Sequence, residues 1–232
     1  EAVRAAALPL YARVAPSEAA ERLGELTAAA TAGKNKGARV AVALAWGEVA
    51  RAKVPAAQEA LDRLIKDDSA QVRAAAAEAY GFLGRSAQDQ LIKMVKTEGY
   101  DVAVGAARGL ANSAEVGASA DVAVGGIFDL WKRKGKPRRE AARVYVRMAS
   151  RPTRELVEYL TSASRSVEDA DLHPIGVEGL CTAAGVGNVD ARRGLSSAAD
   201  DASVEVRRLV IGCVADSPAS SKIAAAVAMK LR

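Results

Sequence analysis

"DDSAQVRAAAAEAYGFLG", residues 67–84, places one arginine, Arg73, beside Val72 at the head of a helix made almost wholly of alanine. An isolated amphipathic helix has no use for a guanidinium there. The stretch makes sense as one copy of several. Aligned on Val72-Arg73 and the small-residue run behind it, the chain repeats the same station six more times. These are Val3-Arg4 ("AVRAAALPLY"), Ala38-Arg39 ("ARVAVALAWG"), Val102-Ala103 ("DVAVGAARGLA"), Pro137-Arg138 ("KPRREAARVYV"), Leu172-His173 ("DLHPIGVEGLC") and Val206-Arg207 ("VEVRRLVIGCV"). The steps between copies are 35, 34, 30, 35, 35 and 34 residues. A period of this size marks a stack of supersecondary units, none of which buries its apolar faces alone.

Each period holds two helical patterns. The arginine-bearing helix alternates with a second that starts at a cap or a proline: residues 16–30, 55–66, 86–97, 119–132, 152–163 and 217–231. Proline is tolerated in a first helical turn because its missing N–H would have no partner there. No stretch alternates with period two between turn residues, so no sheet is expected. The fold class is all-α. Of 232 residues half are apolar but 4% are aromatic, and the apolar mass is Ala, Val and Leu. That mix suits closely packed helices with small side chains. No apolar run reaches the ~18 residues of a membrane span. Cys181 and Cys213 lie 32 residues apart within apolar helical patterns. They read as two small buried thiols, and the pattern does not ask for a disulfide.

The pattern of Asp, a few residues, Val-Arg, then alanines and a glycine resembles HEAT repeats of the short bacterial kind. "DDSAQVRAAAAEAYGFLG" and "DDASVEVRRLVIGCVAD" are its best copies. The resemblance covers the whole chain. It implies an α-solenoid, a right-handed superhelix of about seven antiparallel helix pairs with the arginine-bearing helices on the concave side. Residues 1–232 then form a single array. Neither end shows a polar capping repeat, which predicts that the array is part of a longer chain or assembly. The copy at Val102-Ala103 lacks the arginine, and His173 is followed by Pro174.

Arg4, Arg39, Arg73, Arg138 and Arg207 form one column of the array, with His173 in the same station. The resemblance implies a structural ladder in which Asp67 supports Arg73 and Asp201 supports Arg207. Arg39 and Arg138 have no acid upstream at that spacing, so they borrow one from an adjacent repeat or are free to bind. A single histidine cannot build a multi-histidine metal site, and neither metal nor cofactor is expected.

Charge is concentrated in one place. "KRKGKPRREAARVYVR", residues 132–147, carries Lys132, Arg133, Lys134, Lys136, Arg138, Arg139, Arg143 and Arg147 against Glu140 alone, whereas the whole chain has a net charge of +5. Arg139, Arg143 and Arg147 recur every fourth residue, about 6 Å apart along a helix. Arg108 shares the column of Arg143, and Glu78 and Glu178 flank it in the copies on either side. Such a row suits carboxylates on an acidic protein partner, nucleic-acid phosphates, or plain solvation. Few aromatic residues interleave it, as a single-strand binder would require.

Catalytic signatures are missing. There is no phosphate-binding GxxxxGK[ST] loop, no G-x-S-x-G and no HExxH, and "GVGNVD" (185–190) reads as an interhelix turn. Among enzymes of similar architecture, the metal-dependent hydroxylases use repeated His-Glu pairs, which are absent. Alkylpurine DNA glycosylases rely on Trp, Asp and Arg in a cleft, and Trp46 and Trp131 fall on different helix types. Phycobilin lyases share the short repeat, but no bilin site is identifiable. The expectation is a non-enzymatic, cytoplasmic scaffold that binds a protein partner along its concave surface. Nucleic-acid backbone binding through the same patch is the alternative.

Overall fold

The computed structural model describes residues 2–32, 35–201 and 203–216, with side chains for 7–32, 35–201 and 203–215. The expected helix at 217–231 and the Arg4 side chain lie outside the described residues. Among these, every regular element is helical: α1 (Ala2–Val14), α2 (Pro16–Ala32), α3 (Lys36–Arg51), α4 (Ala56–Leu64), α5 (Ala70–Tyr80), α6 (Gln88–Thr97), α7 (Tyr100–Glu115), α8 (Ala120–Trp131), α9 (Lys136–Met148), α10 (Arg154–Ser164), α11 (Leu172–Gly185), α12 (Val189–Ala198) and α13 (Val204–Asp216), with a 3-10 segment at Gly81–Ala87. The chain divides into two compact units, one up to Leu130 and one from Trp131 onward.

The helix starts follow local chemistry. Asn35, Thr153 and Asn188 accept hydrogen bonds from the backbone N–H three residues on, at 3.0, 3.2 and 2.9 Å, and so satisfy amides that have no partner inside the helix. Two of the expected proline starts shift: Pro55 is the cap residue of α4 and Pro152 precedes the Thr153 cap of α10.

In the first unit α1, α3, α5 and α7 stack in series while α2, α4 and α6 pack against their flanks; in the second, α11 lies between α9 and α13, and α10 packs on α11 and α12. Small residues set the spacing. A methyl group added at Gly105 or Gly109 of α7 would overlap the backbone carbonyl of Ala74 or Ala77 on α5. Backbone touches backbone there, and Asn112, 1% exposed, donates across the contact to the Glu78 carbonyl at 2.8 Å. The larger side chains fill the layer between helix types, with Leu61, Leu91, Leu110, Leu156, Leu160 and Leu180 wholly buried.

The cysteines correct the sequence expectation. Cys181 of α11 and Cys213 of α13 form a disulfide with their Cα atoms 5.9 Å apart, and both are half-buried. They stand one repeat apart on adjacent helices of the same type, so the stacking itself brings them within bonding distance.

Three measurements check this packing. Gly105→Ala improves helix propensity by about 1 kcal/mol, yet no rotamer relieves an overlap with a carbonyl. Urea unfolding is expected to show a net loss of about 2 kcal/mol. Gly125→Ala on α8, where a methyl meets nothing within 4 Å, is expected to gain up to about 1 kcal/mol. Reducing the disulfide frees a 32-residue span and is expected to lower the stability of the second unit by about 3 kcal/mol.

Candidate functional site

The column begins with the loops that precede its helices. In the loop before α5, Asp67 Oδ1 accepts the Ser69 N–H at 2.8 Å, and in the loop before α13, Asp201 Oδ1 accepts the Ser203 N–H, also at 2.8 Å. Each aspartate therefore folds its own loop. The arginine six residues on reaches back to the backbone and not to the carboxylate. Arg73 Nη1 donates to the carbonyls of Asp67 (2.9 Å) and Asp68 (3.1 Å), and Arg207 Nη1 to that of Asp201 (2.6 Å). Arg138 Nε donates to the Trp131 carbonyl at 3.0 Å. His173 Nε2 lies 2.6 Å from the Ser166 carbonyl, which requires the proton on Nε2. Arginine and histidine thus do one job in this station: they close the connection from the preceding helix.

Ala103 shows why one copy dispenses with the group. Only Glu98 and Gly99 separate α6 from α7, so the residue six positions back, Thr97, is inside α6. With no loop to close, the station is filled by a wholly buried alanine on α7.

Acids enter the ladder from the following copy, which differs from the Asp67–Arg73 support expected. Arg39, 8% exposed in its side chain, binds Asp67 Oδ2 at 3.0 Å and Asp68 Oδ1 at 2.7 Å; Arg73 reaches Glu98 at 3.4 Å. The Asp68 carboxyl is held below its ordinary value by a hydrogen bond with Asp67, then by the Arg39 charge. The Asp67 side chain is 11% exposed and that of Asp68 is 88%. The sheltered Arg39–Asp67 contact therefore carries most of the energy, since an exposed pair adds at most about 1 kcal/mol.

The basic stretch meets an acidic loop that its own neighbourhood in sequence does not reveal. Residues 165–171 bring Glu168, Asp169 and Asp171 against the start of α9. Arg139 Nε donates to both oxygens of Asp169 (2.9 and 3.1 Å) and its Nη1 lies 2.5 Å from Asp171. The hydrogen bond with Asp169 holds the Arg139 guanidinium above its ordinary pKa. Lys134 and Arg138 share Glu168 at 3.3 and 3.5 Å, while Arg143 pairs with Glu140. In the first unit, Arg108 pairs with Glu78 at 3.6 Å. Arg138 also lies 5.7 Å from the Trp131 ring centroid. Trp131 joins Tyr145 and Tyr159 in a cluster with centroids 5.3–5.9 Å apart, and burial pushes the Tyr145 hydroxyl up. These rings pack between helices.

The structure thus sorts the basic residues. Arg138 and Arg139 brace the α8–α9 and α10–α11 connections. Lys132, Lys134, Lys136, Arg143 and Arg147 are exposed, and Arg133 is half-buried. Arg143 and Arg147 stand one turn apart, opposite the buried Ala141, Val144, Tyr145 and Met148.

No family model matches the chain, and no curated protein matches it by sequence. Solved structures do resemble it. An engineered protein from the Northeast Structural Genomics Consortium aligns with a TM-score of 0.53 at 20% identity, covering 89% of this chain and 97% of that one. The complex of CpcE and CpcF of phycocyanin lyase from Nostoc sp. PCC7120 aligns with a TM-score of 0.52 at 16% identity, covering 98% of this chain and 88% of that one. The likeness is one of fold. It corrects the expectation that the chain is not an enzyme: a lyase is built on this fold, so missing catalytic motifs do not argue against catalysis in such a chain.

A double-mutant cycle separates the two arginine roles. Arg39→Ala and Asp67→Ala are expected to couple by about 2 kcal/mol in chemical denaturation, as a sheltered ion pair should. Arg73→Ala and Asp67→Ala are expected to couple by less than about 0.5 kcal/mol, because alanine keeps the carbonyl that Arg73 uses.

Proposed function

We propose that the chain is an α-solenoid of HEAT-like repeats that binds an acidic protein surface through the cations around α9. The repeated station, present in both units, and the alternation of two helix types support the solenoid reading. The observation that carries the binding reading is the exposed pair Arg143 and Arg147 on one face of α9, continued by Lys132, Lys134 and Lys136. The likeness to CpcE and CpcF, themselves two proteins in a complex, supports a partner of protein nature.

The acidic loop at 165–171 gives this surface a mechanism. Lys134 and Glu168 are 76% and 61% exposed in their side chains, so their pairing is weak and exchangeable. An incoming carboxylate replaces Glu168 at little cost. Asp169, 10% exposed, stays with Arg139 and keeps α9 in place while the exchange happens. The cations then act mainly on association rate and specificity. The Cys181–Cys213 disulfide supports action in an oxidising compartment over the cytoplasm expected from sequence. No described helix is long and apolar enough to cross a membrane.

Binding of a fluorescent poly-glutamate peptide across a salt titration checks the reading. Arg143→Ala with Arg147→Ala is expected to weaken binding about five- to thirtyfold at low salt, at about 0.5–1 kcal/mol per rim charge. Unchanged affinity in that variant contradicts the proposal. Duplex DNA binding tighter than the peptide, with a steep salt slope, replaces it with backbone recognition of nucleic acid.

A further inference from the structure

The turn that ends α3 departs from the chain's own habit. α7 and α11 end in the same six-residue closure: Ala118 N donates to the Ser113 carbonyl (2.9 Å) and Asn188 N to that of Ala183 (3.1 Å). The left-handed residue is glycine in both, Gly117 at φ 100 and Gly187 at φ 94. α3 makes this closure too, Val54 N to the Val49 carbonyl at 3.2 Å, but its left-handed residue is Lys53 at φ 60. Among the described residues no other non-glycine has positive φ. A side chain there is disfavoured relative to glycine, and Lys53 is exposed, so burial does not explain the lysine.

Lys53 lines a groove of about 420 Å³ within the first unit. Val54, Leu83 and Val116 supply its apolar surface, and Arg51, Lys53 and Arg85 are its cations; no carboxylate is among the described residues lining it. Arg51 is fixed 4.3 Å over the Phe82 ring and 3.0 Å from Glu115. Lys53 and Arg85 are exposed. The first turn of α4 lies beside them, its Ala57 and Gln58 N–H groups donating to the Val54 and Pro55 carbonyls at 3.2 Å. The opposing negative helix ends, those of α3 and α7, have carbonyls already engaged by the closures just described. An apolar floor with a few convergent polar groups, at this volume, suits a small molecule.

We propose that the groove binds an amphiphilic organic anion, a carboxylate, sulfonate or phosphate head on an apolar body. Lys53 and Arg85 hold the head, and Val54, Leu83 and Val116 hold the body. A bare inorganic anion would leave the apolar floor unused. A neutral apolar ligand would have no use for a lysine at a glycine position. The inference rests on the first unit and is independent of the acidic-partner reading.

The test is fluorescence titration of the whole chain with 8-anilinonaphthalene-1-sulfonate at low salt. Lys53→Gly is expected to weaken binding about fivefold, as loss of one exposed ion pair would, and at the same time to raise Tm by relieving the backbone. Arg85→Ala is expected to weaken binding similarly, and Lys93→Ala on α6 to leave it unchanged. Equal binding by Lys53→Gly and the parent overturns the proposal. So does equal affinity for neutral N-phenyl-1-naphthylamine, or displacement of the probe by inorganic phosphate at equimolar concentration. A fall in Tm for Lys53→Gly overturns the argument from strain.

Discussion

The bond on which this structure depends runs from a long cationic side chain back to a carbonyl in the loop before its own helix. A connection between two antiparallel helices leaves carbonyls at the end of the first with no intrahelical partner. Arg138, His173 and Arg207 each bond one carbonyl at or just past that helix end, and Arg73 bonds two. Each bond ties the first turn of its helix to the connection just before it. Ala103 marks the boundary condition, because a two-residue connection needs no such bond.

A second layer of charge is built on that one. Arginines of the column also reach forward to acids of the next copy. Arg39 meets Asp67 and Asp68, and Arg73 meets Glu98. Around α9 the same forward reach brings Arg138 and Arg139 onto Glu168, Asp169 and Asp171. The bracing role and the proposed binding role are therefore divided between neighbours on one helix. Arg139 is paired with a sheltered carboxylate, whereas Arg143, paired with Glu140 on its own helix, and Arg147 are exposed.

Much of this was legible in the sequence, and what was missed has a common cause. Helix type, the repeat and the station of Arg73 are local patterns, and they appear where the spacing puts them. The Asp67–Arg73 pairing was misassigned because the acceptor of Arg73 is a carbonyl, which no residue name reveals. The carboxylate that Arg39 borrows lies 28 residues downstream, in the adjacent copy. The serine two positions after Asp67 and Asp201 was the available clue, since an aspartate that closes its own loop is occupied. The acidic loop at 165–171 escaped a local charge count because it lies about one repeat beyond the basic stretch. The disulfide escaped for the same reason, although a cysteine separation close to the repeat length was there to be used. Lys53 becomes visible only when the three helix ends are compared as structures.

Amide hydrogen exchange on Arg73→Met tests the central claim most directly, because methionine keeps an apolar stem and removes the guanidinium. If the carbonyl bond organises the loop, the Ser69 amide and the first turn of α5 should exchange about tenfold faster, with protection elsewhere in the first unit retained, as expected for local opening. Unchanged protection at residues 67–73 would contradict the account.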